Sequence, residues 1–108
     1  MTPILAGTLD LLILKTLAAS GMHGYGIAQH IQRLSDDALK VEEGSLYPAL
    51  QRMLVKGWVT SKTKKTPTGR VGRYYEITRT GLKQLKSEEA AFHDSVKATA
   101  RVLRGSEA

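Results

Sequence analysis

The apolar residues of this chain change their spacing twice, and those changes fix the order of elements that any fold must accommodate. Up to Gly57 they recur every three or four residues, the period of an amphipathic helix. Between Trp58 and Ile77 helical spacing is lost, and Tyr75 and Ile77 alternate with Tyr74 and Glu76, as on a half-buried strand. From Leu82 to Leu103 a helical stripe returns. At 108 residues this pattern predicts one modest domain, mainly α with a small β-hairpin.

The first helix is expected over Thr8–Ala19, stopped by Ser20-Gly21. It carries two apolar faces, one of Leu9, Leu12, Ile13 and Leu17, the other of Leu11, Leu14 and Ala18. Burial on two sides is implied. One side serves the domain's own core; the other points to a partner subunit through Leu11 and Leu14, or to the centre of a monomer. A second helix runs from Gly24 or Tyr25 to Leu34, with Ile27, Ile31 and Leu34 inward and Gln29, Gln32 and Arg33 outward. Its glycines, Gly24 and Gly26, serve either close packing of the turn or approach of a phosphate to free helix-start N–H groups. After a polar break at Ser35-Asp36-Asp37, Leu39 to Val41 has the alternation of one short strand.

A third helix is expected after Ser45 as N-cap, with Pro48 tolerated in its first turn and Gly57 closing it. Leu46, Leu50, Met53 and Leu54 share an inward arc, leaving Pro48, Gln51, Arg52 and Val55 outward, with Tyr47 and Lys56 at the edges. Gln and Arg can make bidentate contacts with adenine and guanine edges in a major groove. An exposed face of any helix can also hold them.

Charge sharpens that choice. From Lys56 to Lys86 there are nine basic residues against one acid, Glu76, a local +8, while each flank comes to −1 within an overall +6. The excess lies on the stretch holding the two strands, Trp58–Thr63 and Arg73–Ile77, and the turn Thr66-Pro67-Thr68-Gly69. A basic hairpin directly after a short helix is a means of gripping duplex phosphates, because neutralising them releases condensed counterions. The bland alternative is a solubilising loop. The connection, long and rich in Lys, Thr and Gly, is expected to be mobile without a ligand.

Thr78 to Arg104 reads as a final helix in which Leu82, Leu85, Phe92, Val96 and Leu103 form a heptad-like seam. Such a helix outruns a small domain, so its distal stripe needs a second chain, unless the tail frays after Phe92. Leu85, Phe92, Val96 and Leu103 therefore join Leu11 and Leu14 as expected dimer-interface residues. The order is that of a winged helix-turn-helix over residues 1–78 with a C-terminal dimerisation helix over residues 79–108, the third helix reading DNA and the hairpin serving as wing.

Other functions find little support. The chain has no cysteine and its histidines are His23, His30 and His93, so neither a thiol nucleophile nor a metal site is expected, and no cofactor. The longest apolar run, Leu11–Leu14, falls far short of the ~18 residues of a membrane span, and no signal peptide is expected. A soluble cytoplasmic protein fits. The alternative to DNA binding is a winged helix that binds another protein; a duplex affinity that falls steeply with salt separates the two.

Three segments resemble one family. Leu9-Asp10-Leu11-Leu12-Ile13-Leu14 followed by Met22-His23-Gly24-Tyr25-Gly26-Ile27, then Glu43-Gly44-Ser45-Leu46-Tyr47-Pro48-Ala49-Leu50 with Gly57-Trp58-Val59, then Arg73-Tyr74-Tyr75-Glu76-Ile77-Thr78 with Gly81, are similar to PadR-type transcriptional regulators from about Ile4 to Phe92. The resemblance implies a dimeric repressor on a pseudo-palindromic double-stranded operator, released by a small-molecule effector or other signal of unknown identity. It makes Ser45, Tyr47 and Pro48 the reading segment of the recognition helix and Tyr25 a backbone contact. Helical-face and charge arguments add Gln51, Arg52, Lys62, Lys64, Lys65, Arg70 and Arg73. The chain resembles the compact type with one dimerising helix. Some compact members bind aromatic drugs through a tryptophan in that helix; here the one tryptophan, Trp58, lies in the hairpin instead.

Overall fold

The computed structural model describes Ile4 and residues 7–105; the remaining ends of the two expected segments, 1–78 and 79–108, lie outside the described residues. Four helices, α1 (Thr8–Ala19), α2 (Gly24–Leu34), α3 (Glu43–Val55) and α4 (Arg79–Arg104), surround three strands, β1 (Met22–His23), β2 (Val59–Lys65) and β3 (Val71–Ile77). The sheet is antiparallel in the order β1-β3-β2. This is a winged helix-turn-helix with a long C-terminal helix, as the spacing predicts. The third strand is not where alternation placed it. Leu39 makes only an isolated bridge, and the strand that completes the sheet is β1, paired Met22 to Tyr75 and His23 to Tyr74. A two-residue strand leaves no periodicity to detect.

The core is built from all three α-helices of the N-terminal half plus the hairpin's inner face. Ile13, Leu14, Ile27, Leu46, Leu50, Met53 and Val59 are fully buried, joined by Leu11, Leu17, Ile31, Ala49, Tyr75 and Leu85. Each large apolar side chain so buried contributes about 1.5–3 kcal/mol. Both faces of α1 are consumed within one chain, since it packs on α2, α3, β3 and α4. Leu11, Leu14 and Leu85, expected at a partner subunit, are 8%, 0% and 7% exposed within the single chain, and Leu11 also borders an open groove against α4. Leu34, expected inward, is 73% exposed. It is the last residue of α2, and the chain turns away there through Asp36 and Asp37, both left-handed at φ 51° and 64°.

α3 begins earlier than Ser45. Glu42 takes the N-cap position, its carbonyl accepting from the Ser45 and Leu46 amides at 3.0 and 2.9 Å. Ser45 is thus inside the helix, and Pro48 lies in its second turn rather than its first. Proline there cannot donate to the Gly44 carbonyl, and the helix persists because Gly44 is exposed, so water can serve that group. At the other end Gly57, φ 75°, closes α3. Trp58 N–H bonds the Met53 carbonyl at 2.9 Å and Gly57 N–H the Leu54 carbonyl at 3.1 Å, the paired bonds of a Schellman stop. This turn sends the chain straight into β2.

The wing is longer and its loop shorter than alternation suggests. Pairing runs from Val59 opposite Ile77 out to Lys65 opposite Val71. The Thr66–Gly69 turn is closed by Gly69 N–H to the Thr66 carbonyl at 2.9 Å and Thr66 N–H to the Arg70 carbonyl at 2.6 Å, with Gly69 at φ 89°. A ladder of backbone bonds replaces the expected loose connection. Thr78 then caps α4: its hydroxyl oxygen accepts from Gly81 N–H at 3.0 Å and lies 2.6 Å from the Gly57 carbonyl, tying the helix start to the end of α3.

Candidate nucleic-acid interface

Burial of Leu46, Ala49, Leu50 and Met53 leaves the opposite side of α3 to Gly44, Pro48, Gln51 and Val55, all exposed. Gln51 makes no hydrogen bond to another described residue, so its amide is free to pair outward. Ser45 sits exposed at one edge of that face.

Tyr47, at the other edge, is 41% exposed. Its ring lies against Gly24, where an added Cβ would stand 3.0 Å from Tyr47 Cε1 and Oη. Gly24 therefore serves close packing of α3 on the start of α2, one of the two uses its sequence left open. The same ring lies near Tyr75, whose phenol is pushed above its ordinary value by burial and then by Tyr47, with Arg73 opposing. Tyr47 thus joins the two helices as well as facing outward.

Arg52 is exposed, as expected, but makes a contact within the fold. Its Nη2 donates to Asp10 Oδ1 of α1 at 3.1 Å, so the guanidinium is turned to the flank of α3 and engaged within the fold. The helical wheel puts Arg52 on the outward side, and a carboxylate 42 positions away is invisible to that wheel. Glu88 of α4 shares this junction. Its carboxyl is raised above the ordinary range by burial first and by Asp10 second, with the Gln84 amide and Lys56 pulling the other way; its Oε2 is buried without a hydrogen-bond partner.

Tyr25, the second residue of α2, is 68% exposed, and its hydroxyl accepts from Gln29 Nε2 at 2.8 Å. His23 takes the N-cap position of α2 without a side-chain cap bond, so no His23 side-chain bond occupies the first-turn N–H groups beside Tyr25. Gly24 itself is buried under the Tyr47 ring, so Tyr25 is the exposed residue of this helix start.

The basic residues of the wing divide between its two faces, because cross-strand partners share a face and neighbours alternate. Lys62 lies opposite Tyr74 and Lys64 opposite Gly72. Their ammonium groups stand 5.8 and 4.1 Å from the Tyr74 ring centroid, and Lys62 also pairs with Glu76 at 3.4 Å. Lys65 and Arg73 occupy the other face, and Arg70 the turn; all five cations are exposed. The structure therefore brings together an exposed Gln51 face, the exposed Tyr25 at the start of α2 and a hydrogen-bonded cationic ribbon.

This arrangement has relatives. Residues 13–87 match the family model described as the transcriptional regulator PadR-like family. The chain belongs to the PadR-like family. Among solved structures, a transcriptional regulator from Clostridium thermocellum superposes with TM-score 0.80 at 26% identity, over 88% of this chain and 92% of that one. A PadR-like transcriptional regulator from Bacillus cereus gives 0.75 at 27%, over 92% and 94%. Bacillus subtilis PadR in complex with operator DNA gives 0.66 at 22%, over 74% of this chain and 45% of that one, a likeness of fold.

Two residues of this PadR-like surface escape sequence reasoning: His23 and Tyr74. Nothing in their local sequence says that one ring meets the other edge-on at 5.3 Å. Only the register of β1 on β3 brings them together. The position of Tyr74 on a strand adjoining Lys62-x-Lys64 is the one signal available beforehand.

Proposed function

We propose that this chain is a sequence-specific double-stranded-DNA-binding regulator that acts as a dimeric repressor and is released by a small molecule or other signal. The observation that carries this reading is the pairing of the exposed Gln51 face of α3 with a hydrogen-bonded cationic wing and the exposed Tyr25 at the start of α2. α3 enters the major groove, with Ser45, Tyr47 and Pro48 near base edges or backbone and Gln51 pairing to a base. Tyr25 meets a phosphate at the start of α2. Lys62, Lys64, Lys65, Arg70 and Arg73 follow the sugar-phosphate rails. Arg52 takes a supporting part, holding α3 to α1. Membership in a family of transcriptional regulators, and a fold shared with a PadR solved on operator DNA, support the assignment. The chain works by binding rather than catalysis.

The dimer follows from α4. Its 26 residues stretch the molecule to 61 Å against 30 and 22 Å in the other directions. On the projecting part Phe92, Val96 and Leu103 are 39%, 48% and 81% exposed, and they line an open groove of about 590 Å³ shared with Gly7 and Leu11 of the α1 end. A second copy covering this stripe pairs two reading helices on a pseudo-palindrome. Residues 1–78 then form the DNA-binding unit and residues 79–108 the dimerisation helix. No helix among the described residues is long and apolar enough to cross a membrane, and we place the protein in the cytoplasm.

Affinity for a labelled duplex across a salt series tests the reading. Log affinity is expected to fall linearly with log salt, since each phosphate neutralised contributes about 0.9 to the slope. Duplex binding that is absent, or indifferent to salt, contradicts it.

A further inference from the structure

Beyond Tyr74 the wing leaves the body of the protein. β1 reaches it only through Met22 and His23, paired with Tyr75 and Tyr74, and the remaining rungs, Thr63–Arg73 to Lys65–Val71, belong to β2 and β3 alone. A two-stranded ribbon with such a root bends readily, yet phosphate contacts from its cations require a fixed direction. Among the described residues, one hydrogen bond joins the ribbon beyond Tyr74 to another element. His23 Nε2 donates to the Lys64 carbonyl at 2.9 Å.

The path of that side chain is specific. His23 sits on the opposite side of the central strand β3 from β2, so its ring must cross β3 to reach Lys64. It does so over Gly72, where an added Cβ would stand 3.3 Å from His23 Cδ2. Gly72 is the cross-strand partner of Lys64, so the bare backbone lies where the ring passes. On its other side the imidazole meets the edge of Tyr74 at 5.3 Å, interplanar angle 78°, and that same Tyr74 ring holds Lys64 Nζ at 4.1 Å. The residue that ends β1 and opens α2 thus grips both the backbone and, through Tyr74, the ammonium of Lys64. Its role in capping α2 is given up: no side-chain cap bond forms.

We propose that His23 is a positioning residue for DNA binding, which locks the wing to the start of α2 so that the wing cations and the α2 start meet the duplex backbone in one register. Gly72 and Tyr74 complete the device, the first by making room and the second by holding the ring and the lysine together. The donor is the Nε2–H, so a side chain of similar reach that keeps an N–H replaces it, and an isosteric ring without one does not. The inference rests on the DNA binding proposed above.

The test compares wild type, His23→Phe and His23→Gln on a fluorescein-labelled random-sequence duplex across a salt series, with thermal unfolding measured in parallel. Phenylalanine keeps a ring against Tyr74 and removes the donor. For His23→Phe the slope of log affinity against log salt is expected to become shallower by about 1–2, as one or two fewer phosphates are neutralised, with the unfolding midpoint little changed. His23→Gln is expected to restore the wild-type slope. A merely structural role would lower the midpoint and the active fraction but leave the slope of the folded protein alone. A wild-type slope in His23→Phe, or no recovery in His23→Gln, overturns the proposal. Should His23→Phe fail to fold, Gly72→Ala displaces the ring from the other side with His23 intact; a shallower slope then supports the clamp and an unchanged slope overturns it. Wild-type protein that ignores the duplex altogether sinks the DNA reading, a result distinct from any of these.

Discussion

Gln51 and Arg52 are neighbours in sequence with opposite fates in the fold. Gln51 faces outward with no hydrogen bond to another described residue, whereas Arg52 is bonded to Asp10. Gln51→Ala is therefore expected to cost about 1–3 kcal/mol on the preferred site and to relax base preference there. Arg52→Ala is expected to leave base preference intact and to cost about 0.2–1 kcal/mol of stability, the worth of a largely exposed ion pair. Parallel binding-site selections and chemical denaturation of the two variants check this contrast. A helical wheel assigns Gln51 correctly because its burial depends on its own helix. It also places Arg52 on the exposed side, where the structure has it, but does not show the bond to Asp10, a contact from α1 that one helix's periodicity cannot carry. Glu88 offers a second residue-scale test. Its folded-state pKa is raised, so the folded protein binds a proton more readily than the unfolded chain, and stability falls as pH rises through that raised value. Glu88→Gln removes this effect. Its unfolding midpoint is expected to exceed wild type most at neutral pH, with the gap closing as pH drops toward the ordinary carboxylate range; a gap independent of pH would contradict the assignment.

The helices were legible as elements, and the sheet less so. α1 and α4 follow the periodic segments Thr8–Ala19 and Thr78–Arg104 closely, and Gly57 announces the stop of α3 by its position after Lys56. Three boundaries could not be read. Ser45 has the chemistry of an N-cap, yet Glu42 takes the place because the Ser45 and Leu46 amides bond its carbonyl. Met22–His23 is too short for alternation to register. Lys64 and Lys65 look like loop on composition, but cross-strand pairing with Gly72 and Val71 makes them strand. That last difference changes what the wing does: its cations ride on a paired ribbon, with Lys64 on the Tyr74 face and Lys65 on the other. Replacing both with alanine is expected to weaken all duplexes about equally and to flatten the salt slope by about 0.9 for each phosphate left unneutralised, measured by fluorescence anisotropy on duplexes of unrelated sequence. Unequal weakening across sequences would assign these lysines to base reading.

At the scale of the molecule, a small winged domain carries a helix too long for it. Leu14 and Leu85 are buried within one chain, so the proposed dimer contact centres on Phe92, Val96 and Leu103 of α4, with Leu11 at the edge of the same groove. The heptad spacing could not make this division, because it treats every seam residue alike and does not see where α1 stops covering α4. Phe92→Asp places a charge in the stripe and is expected to shift the protein toward monomer in sedimentation velocity, with operator affinity falling as the two half-sites uncouple. An unchanged dimer would move the interface elsewhere. The central claim is that two copies present α3 to one duplex while the wings hold its backbone. Selection of bound fragments from a random duplex pool with the purified chain tests this most directly. The account predicts an enriched pseudo-palindrome whose half-sites lie about one helical turn, roughly 34–36 Å, apart or a multiple of it; a pool that emerges with no enriched sequence, or with nothing retained at low salt, contradicts it.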